Sequence, residues 1–350
     1  MKPMRFAIIG CGVIGKAHAA ILQEMPDAEL VAVSDEVEAL GKVLAEKTGA
    51  AYYPDYREML ERSDIDIVTI ATPSGMHGAH AIACANAGKH AIVEKPIEIT
   101  LEKADEIIRI FAEKGLKLSS VSQTRFSRDI QRVKKLIEAG KFGRLIMGTT
   151  AVHWYRSQQY YDSGDWRGTW ALDGGGALMN QAIHRIDLLQ YLMGPVRSVH
   201  AQCDTLGHER IEVEDVAVAS VRFTNGAVGS ITATTCAYPG LKTRIEIIGE
   251  NGTAVFENEQ ITQLSFKDEE TETDTAGGGA DGASSDPSVL SSSSHRPQFE
   301  DMIAAVRENR EPAVNGEQGR LPLEIIIGIY RSSQSGQTVT LPIVTGGAGS

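Results

Sequence analysis

The chain has 350 residues, enough for two domains that each bury a hydrophobic core, and its 42% hydrophobic and 23% charged residues are typical of a globular protein in water. Its formal net charge of -12 argues against a nucleic-acid groove or an anionic membrane surface as the main partner, because both select basic surfaces. The four cysteines form no CxxC pair and the N-terminal apolar run is too short to span a bilayer, so we expect no disulfide framework, no metal site and a cytoplasmic protein.

The first third of the chain alternates short apolar runs with helical patterns. Four runs rich in Val, Ile and Ala are bounded by Gly, Pro or Asp, namely RFAIIG (5–10), LVAVSD (30–35), DIVTIAT (66–72) and HAIVEK (90–95). Near-continuous apolar strands that alternate with helices predict a parallel sheet covered on both faces, which is a doubly wound α/β domain. A helix from about Ile130 to Ala139 is expected to close it.

The motif GCGVIG follows the first predicted strand and opens the first helix. Gly10 would permit the tight turn, Gly12 the approach of the backbone to a pyrophosphate, and Gly15 close packing of helix on strand. Asp35 ends the next strand 20 residues after Gly15, where a carboxylate would receive ribose hydroxyls. Because this carboxylate repels a 2′-phosphate and the next two residues offer no arginine, the pattern favours NAD over NADP. The alternative is a glycine turn that binds nothing.

From about Leu145 the pattern changes to longer runs with a period of two residues, which predict an open antiparallel sheet. A helix from about Gly176 to Met193 interrupts the series. Residues 274–294 have the composition of a loop, and we expect it at the surface or over a site because PQFEDMIAAVREN resumes a helix directly after it. The alternating runs are LIMGTTAVHWY, VRSVHAQCDT, VEDVAVASVRFT, GAVGSITATTC and TRIEIIGENGTAVFEN.

Polar residues recur along the interrupting helix. Asn180, His184, Asp187 and Tyr191 are spaced i, i+4, i+7 and i+11, so an α-helix would place them in one stripe. The simplest interpretation is the solvated face of an amphipathic helix. Three glycines at 174–176 favour a site instead, because they let the backbone lie unusually close to another group. An imidazole on that face could take a proton from a substrate hydroxyl.

The segment HWYRSQQYYDSGDWRGTW holds all three tryptophans of the chain. Aromatic density of this kind often marks a core. Here the rings alternate with charged and amide side chains such as Arg156 and Arg167, which is unusual for a core strand. Such a mixture is typical of a pocket that stacks on and hydrogen-bonds a polyhydroxylated ligand.

Together these motifs resemble the Gfo/Idh/MocA family, named for glucose-fructose oxidoreductase and inositol dehydrogenase, over nearly the whole chain. The resemblance implies a Rossmann domain over 1–125 and an α/β domain with a large, mostly antiparallel open sheet over 126–350, with a C-terminal helix and tail that pack back on the first domain. It also implies a homodimer or homotetramer formed through the open sheet. The matching stretches are AIIGCGVIG, VSD, IATPSGMHGAHAIACANAGKHAIVEKPI, GGGALMNQAIHRIDLLQYLMG and REPAVNGEQGRLPLEIIIGIYRSSQSGQTVTLP.

The stretch VEKPIEIT resembles the family's EKP motif, in which a strand end faces the nicotinamide and the lysine reaches the hydroxyl being oxidised. A lysine at the carboxyl end of a parallel strand fits that role, whereas without the resemblance it would be taken as part of a solvated loop. The implied catalytic residues are Lys95, His184 and Asn180, with Lys95 or His184 as proton acceptor. The implied cofactor contacts are Gly10, Gly12, Val13, Ile14, Gly15, Asp35, Thr72, Pro73, His77, Glu94, Lys95 and Gln123. The implied substrate contacts are Lys95, Arg125, Tyr155, Trp166, Arg167, Asn180 and His184.

One position departs from the family pattern, since many members carry an aspartate where this chain has Asn180. An amide cannot accept the proton as a carboxylate does. The version GGGALMNQ, with DWRGTW before it, resembles the branch of UDP-N-acetylhexosamine 3-dehydrogenases and other sugar 3-dehydrogenases. We therefore expect NAD-dependent oxidation of a secondary ring hydroxyl, such as the C3 hydroxyl of a sugar. An inositol dehydrogenase, an NAD-cycling lyase or hydrolase, and a non-catalytic dinucleotide sensor are the alternatives, and a sensor would need neither Lys95 nor His184.

Overall fold

The computed structural model describes residues 2–267, 269, 272–273 and 295–345, so the predicted loop at 274–294 lies outside the described residues. The chain divides into two compact units. The first unit holds Met1–Gln123 and Leu290–Arg320, and the second holds Thr124–Val289 and Leu321–Ser350. Within the described residues no helix is long and apolar enough to cross a membrane.

The helices follow the chain in an order that alternates with strands in the first unit. They are α1 (Val13–Glu24), α2 (Glu38–Thr48), α3 (Tyr56–Leu60), α4 (His77–Asn86), α5 (Leu101–Glu113), α6 (Arg128–Glu138), α7 (Gln158–Asp162), α8 (Ile183–Met193), α9 (Arg296–Glu308) and α10 (Gly316–Ser335). The boundary between the units falls inside α10.

The first unit contains a six-stranded parallel sheet in the order β3-β2-β1-β4-β5-β6. This is the strand order of the doubly wound dinucleotide-binding fold, which confirms the predicted class. The sequence did not mark β3 and β6 because three residues are too few to show a period. The strands are β1 (Met4–Ile9), β2 (Ala28–Ser34), β3 (Ala51–Tyr53), β4 (Ile67–Ile70), β5 (His90–Val93) and β6 (Leu118–Ser120).

The core of the first unit lies between this sheet and its helices. Phe6, Ile8 and Ile67 from the sheet are fully buried with Leu22 of α1 and Phe299 of α9. The rings of Phe6 and Phe299 lie 6.0 Å apart. Helix α9 therefore belongs to the packing of the Rossmann sheet although it lies about 180 residues after β6 in the chain.

The second unit contains a nine-stranded sheet in the order β14-β13-β12-β11-β7-β10-β9-β8-β15. Only β7 and β10 pair in parallel within the described sheet, so the predicted large, mostly antiparallel sheet is confirmed. Burial alternates along β9, which means that one face of the sheet is covered and the other is open. The strands are β7 (Leu145–His153), β8 (Val196–Asp204), β9 (Val216–Phe223), β10 (Val228–Thr234), β11 (Arg244–Gly249), β12 (Gly252–Glu257), β13 (Gln260–Phe266), β14 (Glu272–Thr273) and β15 (Val339–Thr340).

Helix α8 covers the buried face of the second sheet. A Cβ at Gly148 on β7 would lie 2.5 Å from Met193 Cγ of α8, so glycine lets the helix pack closely on the strand. This contact fixes the position of the segment that carries the predicted histidine.

Candidate active site

Gly10, Gly12 and Gly15 follow β1, and a side chain would have a different effect at each of them. Gly10 has φ +96°, and a Cβ there would lie 2.6 Å from Ala71 O. A Cβ at Gly15 would overlap Gly10 O. At Gly12, which has φ -71° and caps α1, a Cβ would meet no described atom within 4 Å. The protein itself therefore requires Gly10 and Gly15, whereas Gly12 leaves open space where a ligand could approach the backbone.

Asp35 lies directly after β2 and faces this glycine turn. Its Oδ2 accepts a hydrogen bond from the Cys11 N–H at 2.7 Å, and its Oδ1 accepts one from the Val37 N–H at 2.8 Å. The carboxylate is half-buried. Two backbone donors thus fix its orientation beside the turn that begins α1.

The turn after β4 carries three predicted cofactor contacts. Thr72 and Pro73 are half-buried, and His77 is buried at the start of α4. The Nδ1 atom of His77 lies 2.7 Å from Pro96 O and its Nε2 lies 2.9 Å from Thr72 O. Burial lowers the pKa of His77. The ring therefore bridges the ends of β4 and β5, and its predicted cofactor contact stays a prediction.

A charged pair, Glu94 and Lys95, directly follows the buried strand β5. Glu94 is 6% exposed; its Oε1 lies 3.1 Å from His18 Nε2, and its Oε2 accepts the Lys95 N–H at 3.1 Å. The Nδ1 atom of His18 lies 2.8 Å from the Thr69 hydroxyl. A neutral His18 satisfies both contacts if it donates to Glu94 and accepts from Thr69. Glu94 thereby anchors the backbone from which Lys95 projects, and Lys95 is half-buried.

The charge of Glu94 is set by opposing effects. Burial by itself raises the pKa of this carboxyl, but the hydrogen bond from His18 and nearby positive charge outweigh it and hold the pKa far below its usual range. His295, the residue before α9, has its Nε2 3.8 Å from Glu94 Oε1 and its ring 5.5 Å from that of His18. Burial lowers the pKa of His295 to about 4. Glu94 is thus a carboxylate beside two buried imidazoles that the sequence did not predict.

Gln123 ends the first unit and was predicted to contact the cofactor. Its Oε1 is buried and has no hydrogen-bond donor among the described residues. Buried acceptors without a donor are rare and mark places where water or a ligand completes the structure. This side chain fits a group that brings its own N–H donor.

In the second unit, the glycine run before α8 packs against the protein itself. Glu214 accepts hydrogen bonds from the Gly176 N–H at 2.9 Å and the Leu178 N–H at 2.8 Å, and from the Tyr330 hydroxyl at 3.0 Å. A Cβ at Gly175 would overlap that hydroxyl. The glycines do let the backbone lie unusually close to other groups, as the sequence predicted, and those groups are Glu214 and Tyr330.

The helix that carries Asn180 and His184 begins with a π-helical turn, Ala177–Ala182, before α8. Such turns are rare and frequent at functional sites. The Nδ2 of Asn180 donates to Asp173 Oδ1 at 2.6 Å, and Asp173 is buried. His184, the second residue of α8, is half-buried. Asp173 is a carboxylate close to Asn180 that spacing along the helix could not reveal.

The predicted polar stripe of this helix is not a solvated face. Asp187 receives a bidentate hydrogen bond from Arg125, with Arg125 Nε at 2.7 Å from Asp187 Oδ2, and both side chains are less than 5% exposed. The guanidinium also lies 4.8 Å from the centre of the Tyr191 ring. Arg125 is thus held in a buried ion pair, and its predicted substrate contact stays a prediction.

The aromatic segment divides into a buried part and a half-buried part. Arg156 is 3% exposed, donates to Gln181 Oε1 at 2.9 Å and lies over the Trp154 ring, so it belongs to the interior. The guanidinium of Arg167 lies 4.5 Å from the Trp166 ring centre and 4.4 Å from that of Tyr160. The half-buried cluster of Arg167 and its two rings suits stacking on a polar ligand.

Tyr155 lies at the edge of the same segment. It forms an isolated antiparallel bridge with Cys236, and its ring packs edge-on at 5.1 Å from the exposed Tyr238. Its predicted contact with substrate stays a prediction.

Comparison with known protein families completes this description. The oxidoreductase family with an NAD-binding Rossmann fold matches residues 4–122, and the GFO/IDH/MocA C-terminal domain matches residues 130–255. The chain belongs to the Gfo/Idh/MocA oxidoreductase family. Its N-terminal part is an NAD-binding Rossmann domain, which confirms the predicted family and cofactor.

Relatives within the family match three quarters or more of the chain. The WlbA dehydrogenase from Bordetella pertussis, solved with NADH and UDP-GlcNAcA, is 36% identical, with a TM-score of 0.87 over 98% of this chain and 100% of that one. The myo-inositol 2-dehydrogenase of Thermotoga maritima is 29% identical and covers 98% of this chain and 100% of its own length. The levoglucosan dehydrogenase of Pseudarthrobacter phenanthrenivorans is 31% identical over 75% of this chain and 76% of its own.

Proposed function

We propose that this Gfo/Idh/MocA oxidoreductase oxidises a secondary ring hydroxyl of a pyranose, with hydride transfer to NAD. The observation that carries the proposal is the anchored Lys95. It follows a carboxylate fixed by His18 at the carboxyl end of β5, an interior strand of the parallel sheet, and doubly wound sheets bind their ligands at these strand ends. The reaction balances as one hydride to the nicotinamide and one proton from the hydroxyl to a protein base, with a ketone as product.

The residues present fit the cofactor. Gly12 leaves space for the pyrophosphate at the start of α1. Two backbone donors orient the Asp35 carboxylate, which would accept hydrogen bonds from the ribose hydroxyls. The buried Oε1 of Gln123 has no hydrogen-bond donor among the described residues, so a donor on the cofactor could bond to it. Bound NAD supplies the hydride acceptor. We propose NAD rather than NADP because the Asp35 carboxylate would face a 2′-phosphate and repel it.

The proton acceptor is proposed to be Lys95 or His184. Asn180 is an amide whose Nδ2 is already directed to Asp173, so it orients hydroxyl groups but takes no proton. Lys95 projects from a fixed backbone and can stabilise a developing alkoxide, while His184 offers an imidazole suited to general base catalysis near neutral pH. A catalytic lysine and histidine also favour an enzyme over a dinucleotide sensor.

For the substrate, we propose a nucleotide sugar as the first candidate, with Arg167 and Trp166 as contacts. The support is the stacked Arg167 cluster together with 36% identity to a dehydrogenase solved with UDP-GlcNAcA. Free sugars and inositols are the second candidates, because the levoglucosan and myo-inositol dehydrogenases are also similar over most of their length. The predicted C3 hydroxyl is proposed as the site of oxidation.

The experiment incubates the protein with NAD and a panel of UDP-sugars, UDP-sugar uronates, free pyranoses and inositols, and follows both NADH and product. A ketone formed with one equivalent of NADH supports the proposal. Product without net NADH would show an NAD-cycling lyase or hydrolase, and binding without product would show a sensor. Lys95→Met should remove most turnover and leave NADH binding near normal. The control is Lys114→Met, an exposed lysine after α5 that should keep full activity.

We further propose a cytoplasmic homodimer or homotetramer formed through the open face of the nine-stranded sheet. Val218 and Val228, on β9 and β10, are 54% and 42% exposed there, and apolar side chains on an open sheet favour a protein partner. The four free cysteines fit a reducing compartment. Light scattering of the wild type and of Val218→Lys tests the assembly, since a monomeric wild type would contradict it.

A further inference from the structure

Three side chains that do not belong to the proposed active site bring a nitrogen, an oxygen and a sulfur together in the second unit. The Nδ1 atom of His208 lies 2.9 Å from Asp215 Oδ2 and 3.7 Å from Cys236 Sγ. All three ligand atoms lie within 4.8 Å of one another. His208 comes from the connection between β8 and β9, Asp215 directly precedes β9, and Cys236 follows β10.

The environment of His208 limits its protonation state. Its Nε2 lies 2.8 Å from Arg156 O, and a backbone carbonyl can only accept, so Nε2 carries a proton. In a neutral ring Nδ1 then presents a lone pair, and the neighbour at 2.9 Å is a carboxylate oxygen that also has only lone pairs. Two such atoms repel unless a positive particle lies between them. That particle is either a second proton, which makes an imidazolium, or a metal cation.

The buried His18 provides a contrast inside the same chain. One of its nitrogens faces Glu94, but the other faces the Thr69 hydroxyl, which can donate. A neutral imidazole therefore satisfies every contact of His18, and its surroundings require no cation. At His208 they do.

The donor atoms around His208 match the preferences of zinc. Zinc binds Cys sulfur at about 2.3 Å and His nitrogen at about 2.0–2.1 Å, and it favours tetrahedral sites. In such a site the nitrogen and sulfur lie about 3.5 Å apart, close to the 3.7 Å found between His208 and Cys236. The nitrogen and the carboxylate oxygen would lie about 3.4 Å apart, so the 2.9 Å between His208 and Asp215 would have to widen by about 0.5 Å when the metal binds. A histidine ligand that donates its other N–H to a backbone carbonyl is the usual outer support of such a metal, and Arg156 O provides it.

The surrounding backbone holds the three ligands in place. Asp215 accepts the backbone N–H groups of Leu206, Gly207 and His208 at 2.8–2.9 Å, which fixes its carboxylate. A Cβ at Gly207 would lie 2.5 Å from Cys236 Sγ, so glycine lets the connection pass close to the sulfur. Cys236 is exposed, which leaves the remaining coordination position open to water.

We propose that His208, Asp215 and Cys236 form a binding site for a divalent cation of the zinc class, with water as the fourth ligand. The cation joins the connection after β8, the start of β9 and the end of β10 within the second unit. The proposed site does not require the dehydrogenase activity, although Cys236 pairs with Tyr155, one of the predicted substrate contacts.

The test is a cobalt titration of the full chain after chelator treatment. One Co²⁺ per chain should produce a thiolate-to-cobalt charge-transfer band in the near ultraviolet and the strong visible bands of tetrahedral cobalt. Cys236→Ser should lose the charge-transfer band. The matched control is Cys203→Ser, which removes another free cysteine of the same unit and should keep it.

A second measurement uses thermal unfolding with Zn²⁺. The metal should raise the melting temperature of the wild type and of Cys203→Ser, because it binds the folded state, but not that of Cys236→Ser. The proposal is overturned if cobalt gives no thiolate band, or if the band survives in Cys236→Ser. Without a thiolate band, an imidazolium paired with Asp215 accounts for the geometry, and a band that survives in Cys236→Ser would place the thiolate ligand at another cysteine.

Discussion

Replacement of Gly12 by alanine separates the needs of the cofactor from those of the fold. Gly12 has φ -71°, which any L-residue adopts, and a Cβ there meets no described atom within 4 Å. The substitution should leave the free energy of unfolding unchanged or raise it by about 0.4–1 kcal/mol, because alanine reduces the entropy of the unfolded chain. A methyl group in front of the turn would instead displace the pyrophosphate. Loss of one hydrogen bond to a charged group costs about 1.5–3 kcal/mol, so the NADH dissociation constant should rise roughly tenfold to a hundredfold.

Isothermal titration with NADH and thermal unfolding without it measure the two effects on the same preparation. Gly15→Ala is the matched control, because a Cβ at Gly15 overlaps Gly10 O and should destabilise the protein by about 1–3 kcal/mol. If Gly12→Ala binds NADH as the wild type does, the pyrophosphate does not lie at this turn. If Gly12→Ala unfolds as easily as Gly15→Ala, the space in front of Gly12 is not open.

Three further predictions follow from charge and burial. Asp35→Asn keeps an acceptor for the glycine turn and removes the negative charge, so steady-state kinetics should show kcat/KM for NADP rising at least about tenfold relative to NAD, a change of about 1.4 kcal/mol; an unchanged ratio would contradict the role of Asp35. Asp187→Ala leaves the buried Arg125 guanidinium without its carboxylate and should lower the free energy of unfolding in urea by about 3–5 kcal/mol, whereas Arg125→Met with Asp187→Leu should lie closer to wild type. A loss below about 1 kcal/mol for Asp187→Ala would mean that Arg125 is solvated. Burial lowers the pKa of His80 to about 4, so between pH 4 and 6.5 the unfolded chain binds a proton that the folded chain does not. Because of this residue, the free energy of unfolding should rise with pH across that window by on the order of 3 kcal/mol. His80→Gln should flatten the slope of a urea-unfolding series there, and an unchanged slope would assign it to other groups.

Much of the fold could be predicted because its signals are local. The apolar runs predicted four of the six parallel strands, and alternation predicted β7 to β12 of the nine-stranded sheet but not β13, β14 and β15. Burial of one or both faces leaves a period in the sequence. The glycine motif predicted the turn before α1 for the same reason. Strands β3 and β6 were not predicted because each has three residues, which are too few to show a period.

The sequence predicted individual residues of the candidate site but not the hydrogen bonds and ion pairs that hold them. The sequence marked Lys95, but the histidine that holds the preceding Glu94 lies 76 residues away in the chain. The one feature of the sequence that could have indicated this contact is His18, a histidine among the apolar residues of α1. The polar stripe that includes Asp187 was predicted for a regular α-helix, but the segment begins with a π-helical turn. Asp187 is also buried in an ion pair with Arg125, which lies 62 residues away in the chain, so it is not on a solvated face.

The sequence by itself determined the family, four of the six strands of the Rossmann sheet, the glycine turn before α1 and the places of Lys95 and His184 at the end of a strand and on a helix, because periodicity and turn chemistry are properties of neighbouring residues. Only the tertiary structure decided what each polar group faces. It paired Asn180 with Asp173, placed Glu214 against the glycine run, and brought ligand atoms of a histidine, an aspartate and a cysteine of the second unit within 4.8 Å of one another. The reason is physical: a buried polar group must find a partner in space, and packing of the core, which joins distant segments, chooses that partner.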